Sequence, residues 1–392
     1  MTVHSSAVAL EAHADAFQRR FGASPSAVWF SPGRVNTMGA HLDYNGGPVM
    51  PCAIDRGTFV ALRLRSDGVV RMASSSFETV LEWPLAALPT RREQRWSDYP
   101  LGVLQALLAR AEAPPGFDIL YGGDLAIGAG LSSSASVCVG TARAVAEAWG
   151  LTLSAEAVVE TALLAERGFV GVRCGIMDPY AIAMARSGSL LWLDCRDRSW
   201  ESVPLDLDAV SIAVADTQVR RELAQSAFNE RVQQCASAFE VLRTLQPEAT
   251  CLRDITRATY LRGKSMLEAP LALRAQHVVD EVERTFAARA ALQRGDVSGF
   301  GAAMTAAHHS LRDLFEVSVP ELDCLVDAAC GVSGVHGSRL TGAGFGGCVV
   351  VLLQRGREDA VREACTQAFA RRFQREPLIE IYRPSGGPVR WL

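Results

Sequence analysis

Phe117–Tyr121 (FDILY) reads as a strand, and it runs straight into Gly122-Gly-Asp-Leu-Ala-Ile-Gly-Ala-Gly-Leu-Ser-Ser-Ser-Ala135. The spacing then predicts a helix from Ala135 to Trp149, with Cys138, Ala142, Val145 and Trp149 on one stripe. A strand, glycines that permit close backbone approach and a helix start leave few folds open. The first N–H groups of a helix have no intrahelical partner and sit at the positive end of its dipole, so such a start holds phosphate. The three serines can cap the helix, touch phosphate or hold Mg²⁺. This is no G-x-x-x-x-G-K-[ST] loop, and the third glycine of a dinucleotide fingerprint is missing. A capped helix after a flexible turn is the competing reading.

Other segments place this unit in a larger chain. Residues 7–21 predict an amphipathic helix with Val8, Ala12, Phe17 and Phe21 near one face. Ser31-Pro32-Gly33 ends that pattern and opens a polar loop from Arg34 to Gly47. Residues 58–64 and 69–73 read as strands joined by a Ser-Asp-Gly hairpin turn. Helices are expected at 99–112 and 155–167, and strands at 188–194 and 211–216. Residues 222–330 are mostly helical in pattern. A glycine-rich loop at 342–347 then leads into an apolar strand, 348–353. At roughly 150 residues per domain, 392 residues suggest two domains. The mixture predicts an α+β, two-domain protein divided into residues 1–200 and 201–392, with the boundary near 195–205.

Three further clusters carry possible chemistry. Arg34-Val-Asn-Thr-Met-Gly-Ala-His-Leu-Asp-Tyr-Asn-Gly-Gly47 crowds polar and charged side chains into fourteen residues. Such a set suits sugar hydroxyls, or else forms a polar turn network. Glu166 is expected to end a helix, while Asp178 sits in an apolar stretch ahead of Pro179. A carboxylate among apolar neighbours is costly unless paired or used. Asp178 is a candidate base and Glu166 a candidate metal ligand, with an N-cap as the alternative for Asp178. Gly342–Gly347 can form an anion nest or a tight bend. His308 and His309, adjacent on a helix, point about 100° apart and read as packing or surface residues.

Composition excludes several partners. A net charge of −4 leaves no basic face for nucleic acid and no polybasic membrane patch. No run of about 18 apolar residues is present. The ten cysteines include no C-x-x-C pair and read as buried small hydrophobes of a reducing compartment. The expectation is a cytoplasmic protein.

Taken together, SPGRVNTMGAHLDYNGGPVMPCAID (31–55), GAGLSSSAS (128–136), CGIMDPY (174–180), LRAQHVVDEVERT (273–285), HSLRDLFEVSVPELD (309–323) and GSRLTGAGFGGC (337–348) resemble the galactokinase family of the GHMP kinases. The first and fourth blocks resemble that branch specifically. The resemblance implies a two-domain GHMP-kinase-like fold with the active site between the domains. It implies ATP- and Mg²⁺-dependent phosphorylation of the C1 hydroxyl of a galactose-type sugar by a monomer. Asp178 would take the hydroxyl proton, and Arg34 would stabilise the oxyanion and hold Asp178 ionised. Ser133 and Glu166 would hold Mg²⁺. Gly128, Ala129, Gly130, Leu131, Ser132, Ser133 and Ser134 would cradle the ATP phosphates, and Trp96 would stack on adenine. Arg34, His41, Asp43, Gly175 and Asp178 would surround the sugar. Two positions depart from the family. Ala40 stands where GEHTDYNGG has glutamate, and Phe228 stands where the S-x-Y-N block has tyrosine. A glutamate there would repel a 6-carboxylate, so Ala40 opens the alternative of galacturonate, with a protonated His41 as its partner. A non-catalytic regulator binding sugar and ATP is the other alternative. The joint presence of Asp178, Arg34, Ser133 and Glu166 favours an enzyme.

Overall fold

The computed structural model describes residues 3–125, 128, 130–220 and 224–392. The expected phosphate-loop residue Ala129 lies outside them.

The first helix, α1, spans Val3–Phe21, and β1 follows at Ala27–Asn36. The α1 face that packs inward is Leu10, His13, Phe17 and Phe21, while Val8 and Ala12 point outward. The expected stripe was therefore rotated, because His13 is buried and its ring bonds the Leu120 carbonyl. Strands β2 (Pro48–Val49), β3 (Pro51–Arg65), β4 (Val69–Ser74) and β5 (Phe77–Pro84) precede α2 (Asp98–Leu108) and β6 (Gly116–Gly123). Helices α3 (Ser133–Ala148), α4 (Ala155–Leu163) and α5 (Met177–Ala183) complete this part, with β7 (Ser189–Asp194) and β8 (Trp200–Pro204). β3 shows why the layers form: Phe59 and Ala61 face α1, while Val60 and Leu62 face α2 and α3. Fully buried, Phe59, Val60 and Leu62 each contribute about 1.5–3 kcal/mol.

The second part runs β9 (Val210–Asp216), α6 (Ala224–Leu242), α7 (Arg257–Gly263), α8 (Ala269–Gln293), α9 (Val297–Asp313) and α10 (Pro320–Cys330). It continues with β10 (Val335–Thr341), β11 (Cys348–Gln354), α11 (Glu358–Phe373), β12 (Leu378–Tyr382) and β13 (Val389–Arg390). Among the described residues the strand orders are β13-β1-β3-β6-β4-β5, β10-β11-β9-β12 and β2-β7-β8. β11 is buried on both faces: Val349, Val351 and Leu353 join one core cluster, and Cys348, Val350 and Leu352 another. The mixed α+β class is as expected.

Three local expectations change. β3 and β4 do not form a hairpin, because β6 lies between them and pairs parallel with β4. Arg34 stands on β1 rather than in a loop; the strand runs through Pro32-Gly33, where the register with β3 shifts. The helix expected at 155–167 is α-helical only to Leu163 and then widens into a π-helical turn, Leu164–Val170.

Gly33 is where Leu125 and Leu131, from the segment between β6 and α3, press against β1. A Cβ there would lie 2.6 Å from Leu125 Cδ1 and 2.8 Å from the Leu131 carbonyl oxygen. That carbonyl accepts the Arg34 N–H at 3.0 Å. Gly33→Ala should therefore wedge the loop away from β1 and cost about 1–3 kcal/mol. Thermal denaturation should register this as a fall in Tm of several degrees.

Candidate active site

Arg34 leaves β1 toward the start of α5 and is 5% exposed. Its Nε donates to Asp178 Oδ1 at 2.6 Å and its Nη2 to Asp178 Oδ2 at 2.7 Å. Its Nη1 donates to the Gly130 carbonyl at 2.6 Å. The guanidinium thus ties three elements together, using the fork geometry that only arginine offers. Asp178 lies in the first turn of α5 rather than capping it, and its Oδ2 also accepts the Ser132 hydroxyl. Ser132 has left-handed backbone (φ 62°, ψ 47°) and makes no capping bond at the start of α3. The helix start is therefore free of a side-chain cap and faces the cleft, as a phosphate site requires.

A cavity of about 360 Å³ contains this pair. Arg34, Ala40, His41, Asp43, Gly175, Asp178 and Phe228 all line it, together with Gly128, Gly130, Leu131, Ser132, Ser133, Ser134 and Glu166. A second cavity, about 270 Å³, meets the first at Ser133 and Ser134 and is walled by Phe77, Trp96, Tyr99, Tyr121 and Val137. The Trp96 and Phe77 rings are parallel within 3°, with centroids 6.0 Å apart. Every described residue expected at the site thus lines one cavity or the other.

Among the described residues, three carboxyl groups line the first cavity with one cation, Arg34. Burial pushes the Asp43 carboxyl up to about 6, reinforced by the charge of Asp178. Its oxygen rests against bare backbone: a Cβ at Gly175 would lie 1.7 Å from Asp43 Oδ2. Burial likewise pushes Glu166 up to about 7, against a hydrogen bond from Ser134. A buried carboxylate beside serine hydroxyls is a hard-oxygen donor set of the kind Mg²⁺ takes when phosphates and water complete its shell. No group of three or more His, Cys, Asp or Glu suited to a metal occurs among the described residues. A single carboxylate with phosphate partners agrees with that.

His41 is neutral. Its Nε2 faces the Ala343 carbonyl at 3.2 Å, so Nε2 carries the proton, and Nδ1 accepts the Tyr44 hydroxyl at 2.9 Å. Burial first, then the charge of His277, pushes its pKa down to about 3. Both ring nitrogens are thus already paired within the protein, and neither is free for a substrate carboxylate. Phe228 lies at its expected place, edge-on to Tyr44 with centroids 5.5 Å apart. The glycine loop after β10 acts as a bend: its Phe345 and Gly347 N–H groups are bonded to the Val317 and Val219 carbonyls.

The sequence reading assigned no role to the groups that hold the His41 turn. Fully buried Glu281, on α8, accepts the N–H groups of Gly39 (3.1 Å) and Ala40 (3.2 Å). Arg284 pairs with the same carboxylate, and buried Arg339 approaches it at 3.9 Å. His277 Nε2 bonds the Ala40 carbonyl at 3.2 Å, and its Nδ1 bonds Ser310. The signal was present in LRAQHVVDEVERT, whose Arg, His and Glu recur at helical spacing on the inward side.

Residues 15–64 match the galactokinase galactose-binding signature. Residues 98–186 and 288–371 match the N-terminal and C-terminal domains of GHMP kinases. The galactokinase of Roseiflexus sp. (strain RS-1) is 39% identical over 95% of this chain and 94% of its own. That of Chloroflexus aurantiacus is 40% identical over 93% and 94%. The crystal structure of Lactococcus lactis galactokinase complexed with galactose superposes with a TM-score of 0.93, at 32% identity over 97% of this chain and 99% of that one.

The electrostatics of the cavity are directly measurable. In the ligand-free protein the Asp43 carboxyl carbon should titrate near 6 by ¹³C NMR. Asp178→Asn removes a neighbouring negative charge and should move that midpoint down, with burial keeping it above the usual carboxylate range. An unchanged midpoint would remove the Asp178 charge as a cause.

Proposed function

The chain belongs to the galactokinase family of the GHMP kinases, and we propose that its cleft transfers the γ-phosphoryl group of ATP to the C1 hydroxyl of galactose. The observation that carries this reading is the Arg34–Asp178 pair, set beside an uncapped helix start where two cavities meet. Phosphoryl transfer asks a protein mainly for positioning and for stabilisation of spread charge. The aromatic second cavity, with Trp96, receives adenine. The triphosphate crosses at Gly128–Ser134 and meets the α3 N-terminus. Ser133 and Glu166 would hold the Mg²⁺ of the nucleotide, which when bound would neutralise phosphate charge. Asp43 and Arg34 hold the sugar. His41, whose nitrogens are already paired, shapes the pocket together with Phe228. Asp178 accepts the proton of the C1 hydroxyl, and Arg34 stabilises the oxyanion that forms.

The same reading gives the two parts of the chain separate tasks. Residues 1–200 carry the phosphate loop and nearly all the sugar contacts, while residues 201–392 supply Phe228, Gly342 and Ala343 as the facing wall. The site is complete within one chain, which supports a monomer as the acting unit. Use of ATP supports the cytoplasm as its location. No helix among the described residues is long and apolar enough to cross a membrane.

Ala40 does not redirect the site toward galacturonate. Arg34 is the cation lining the cavity and is spent on Asp178, His41 is neutral, and Asp43 and Glu166 add negative potential. Among the described residues lining the cavity, a sugar carboxylate would find no cation other than one already paired with Asp178. kcat/KM for D-galactose should therefore exceed that for D-galacturonate by at least about tenfold, a difference of about 1.4 kcal/mol. A coupled ADP-release assay on one preparation checks this, and the reverse order would overturn the reading. In the same assay Asp178→Asn should lower kcat by about 10²–10⁴-fold with a smaller change in KM for galactose. Near-normal turnover would remove Asp178 from the base role.

A further inference from the structure

One polar group in the sugar cavity has no partner. Asn36 follows Arg34 by two residues on β1, so the two side chains leave the same face of the strand. It is 3% exposed and lines the same cavity as Arg34, His41 and Asp43. Its main chain is tied down: its N–H donates to Thr341 Oγ1 at 3.0 Å, and its carbonyl accepts that hydroxyl at 3.2 Å. Its side-chain oxygen, by contrast, reaches no donor among the described residues. A buried acceptor left unpaired is destabilising, and native proteins keep one mainly where something else completes it.

We propose that the Asn36 carboxamide is a specificity contact for the sugar, its Oδ1 accepting a hydrogen bond from one ring hydroxyl. The inference rests on the sugar-kinase reading of this cavity. The chemistry selects the partner: an ionised phosphate oxygen can only accept, so the triphosphate cannot satisfy an acceptor. A sugar hydroxyl both donates and accepts, and it therefore meets either orientation of the amide. The position suits this role as well. Thr341, which fixes the Asn36 backbone, leads directly into Gly342 and Ala343, and the Ala343 carbonyl fixes His41. Asn36 thus joins the rigid frame that holds Arg34 on one side and the His41 turn on the other.

The test crosses one substitution with a set of sugars. Wild type and Asn36→Ala are compared on D-galactose and on its 2-, 3-, 4- and 6-deoxy derivatives, with KM for ATP and Tm measured on the same preparations. The expected result is a rise of about 10–100-fold in KM for galactose, with KM for ATP within about twofold. One deoxy sugar, already weakened in the wild type, should be indifferent to the substitution, because the partner hydroxyl is gone from both. If Asn36→Ala does not fold, Asn36→Ser enters the same comparison with a shorter hydroxyl, and the same single indifferent sugar is expected. Equal losses for all five sugars, a parallel loss for ATP, or no loss for galactose would overturn the contact and leave Asn36 bonded to water. A wild-type protein inert toward galactose would instead overturn the reading of the cavity, and the contact with it.

Discussion

The bidentate contact between Arg34 and Asp178 is the constraint on which the rest of the site depends. It joins residues 144 apart in sequence and fixes the first turn of α5 against β1. The same guanidinium holds the Gly130 carbonyl, so the phosphate loop, the strand and the short helix share one hinge point. Removing one partner of a buried pair costs about 3–5 kcal/mol, because the other charge is stranded. The Asp178 side chain is 29% exposed, so its loss belongs at the lower end. Arg34 is the more deeply enclosed of the two and is the member the fold can least do without.

Around that pair the cavity is short of positive charge. Asp43 and Glu166 are both pushed up by burial, and each adds to the field of Asp178. Such an arrangement is unfavourable in the empty protein, because buried carboxyl groups close to one another oppose each other's ionisation. Two residues lining this cavity have strained backbone. His41 and Ser132 both adopt left-handed φ, near 57° and 62°. Each is held there by neighbours, His41 through Asn45 and Ala343 and Ser132 through Asp178. The strain is sustained by a second layer of buried charge, Glu281 with Arg284 and Arg339, which grips the Gly39–Ala40 amides from behind.

Much of this was legible in the residues, and the parts that were not share a physical cause. The strand, glycine loop and helix around 116–148 could be read because local propensity, periodicity and turn chemistry agree there. The cluster at 34–47 was readable as polar chemistry, but its backbone was not. Ser31-Pro32-Gly33 resembles a strand terminus, yet β1 passes through it because β3 accommodates the register shift. The β3–β4 hairpin failed for a related reason: the Ser-Asp-Gly turn is local, and the insertion of β6 between the two strands is not. The tautomer of His41 depends on Ala343, more than 300 residues away, so no local pattern could supply it. The Glu281 clamp left its trace in the spacing of LRAQHVVDEVERT, but its partners, backbone amides of a distant turn, could not be read from that segment.

The last strand has a bearing on how the protein is made. β13, at Val389–Arg390, pairs with β1, and Trp391 N–H donates to the Val28 carbonyl at 2.8 Å. β1 is also the strand that presents Arg34. While the chain is being synthesised, one edge of β1 therefore stays open until residue 390 has left the ribosome, long after the phosphate loop and its helix have emerged. An uncovered strand edge invites pairing with other chains. Until then the Trp29–Phe30 stretch of β1 lacks the partner that covers it in the finished sheet.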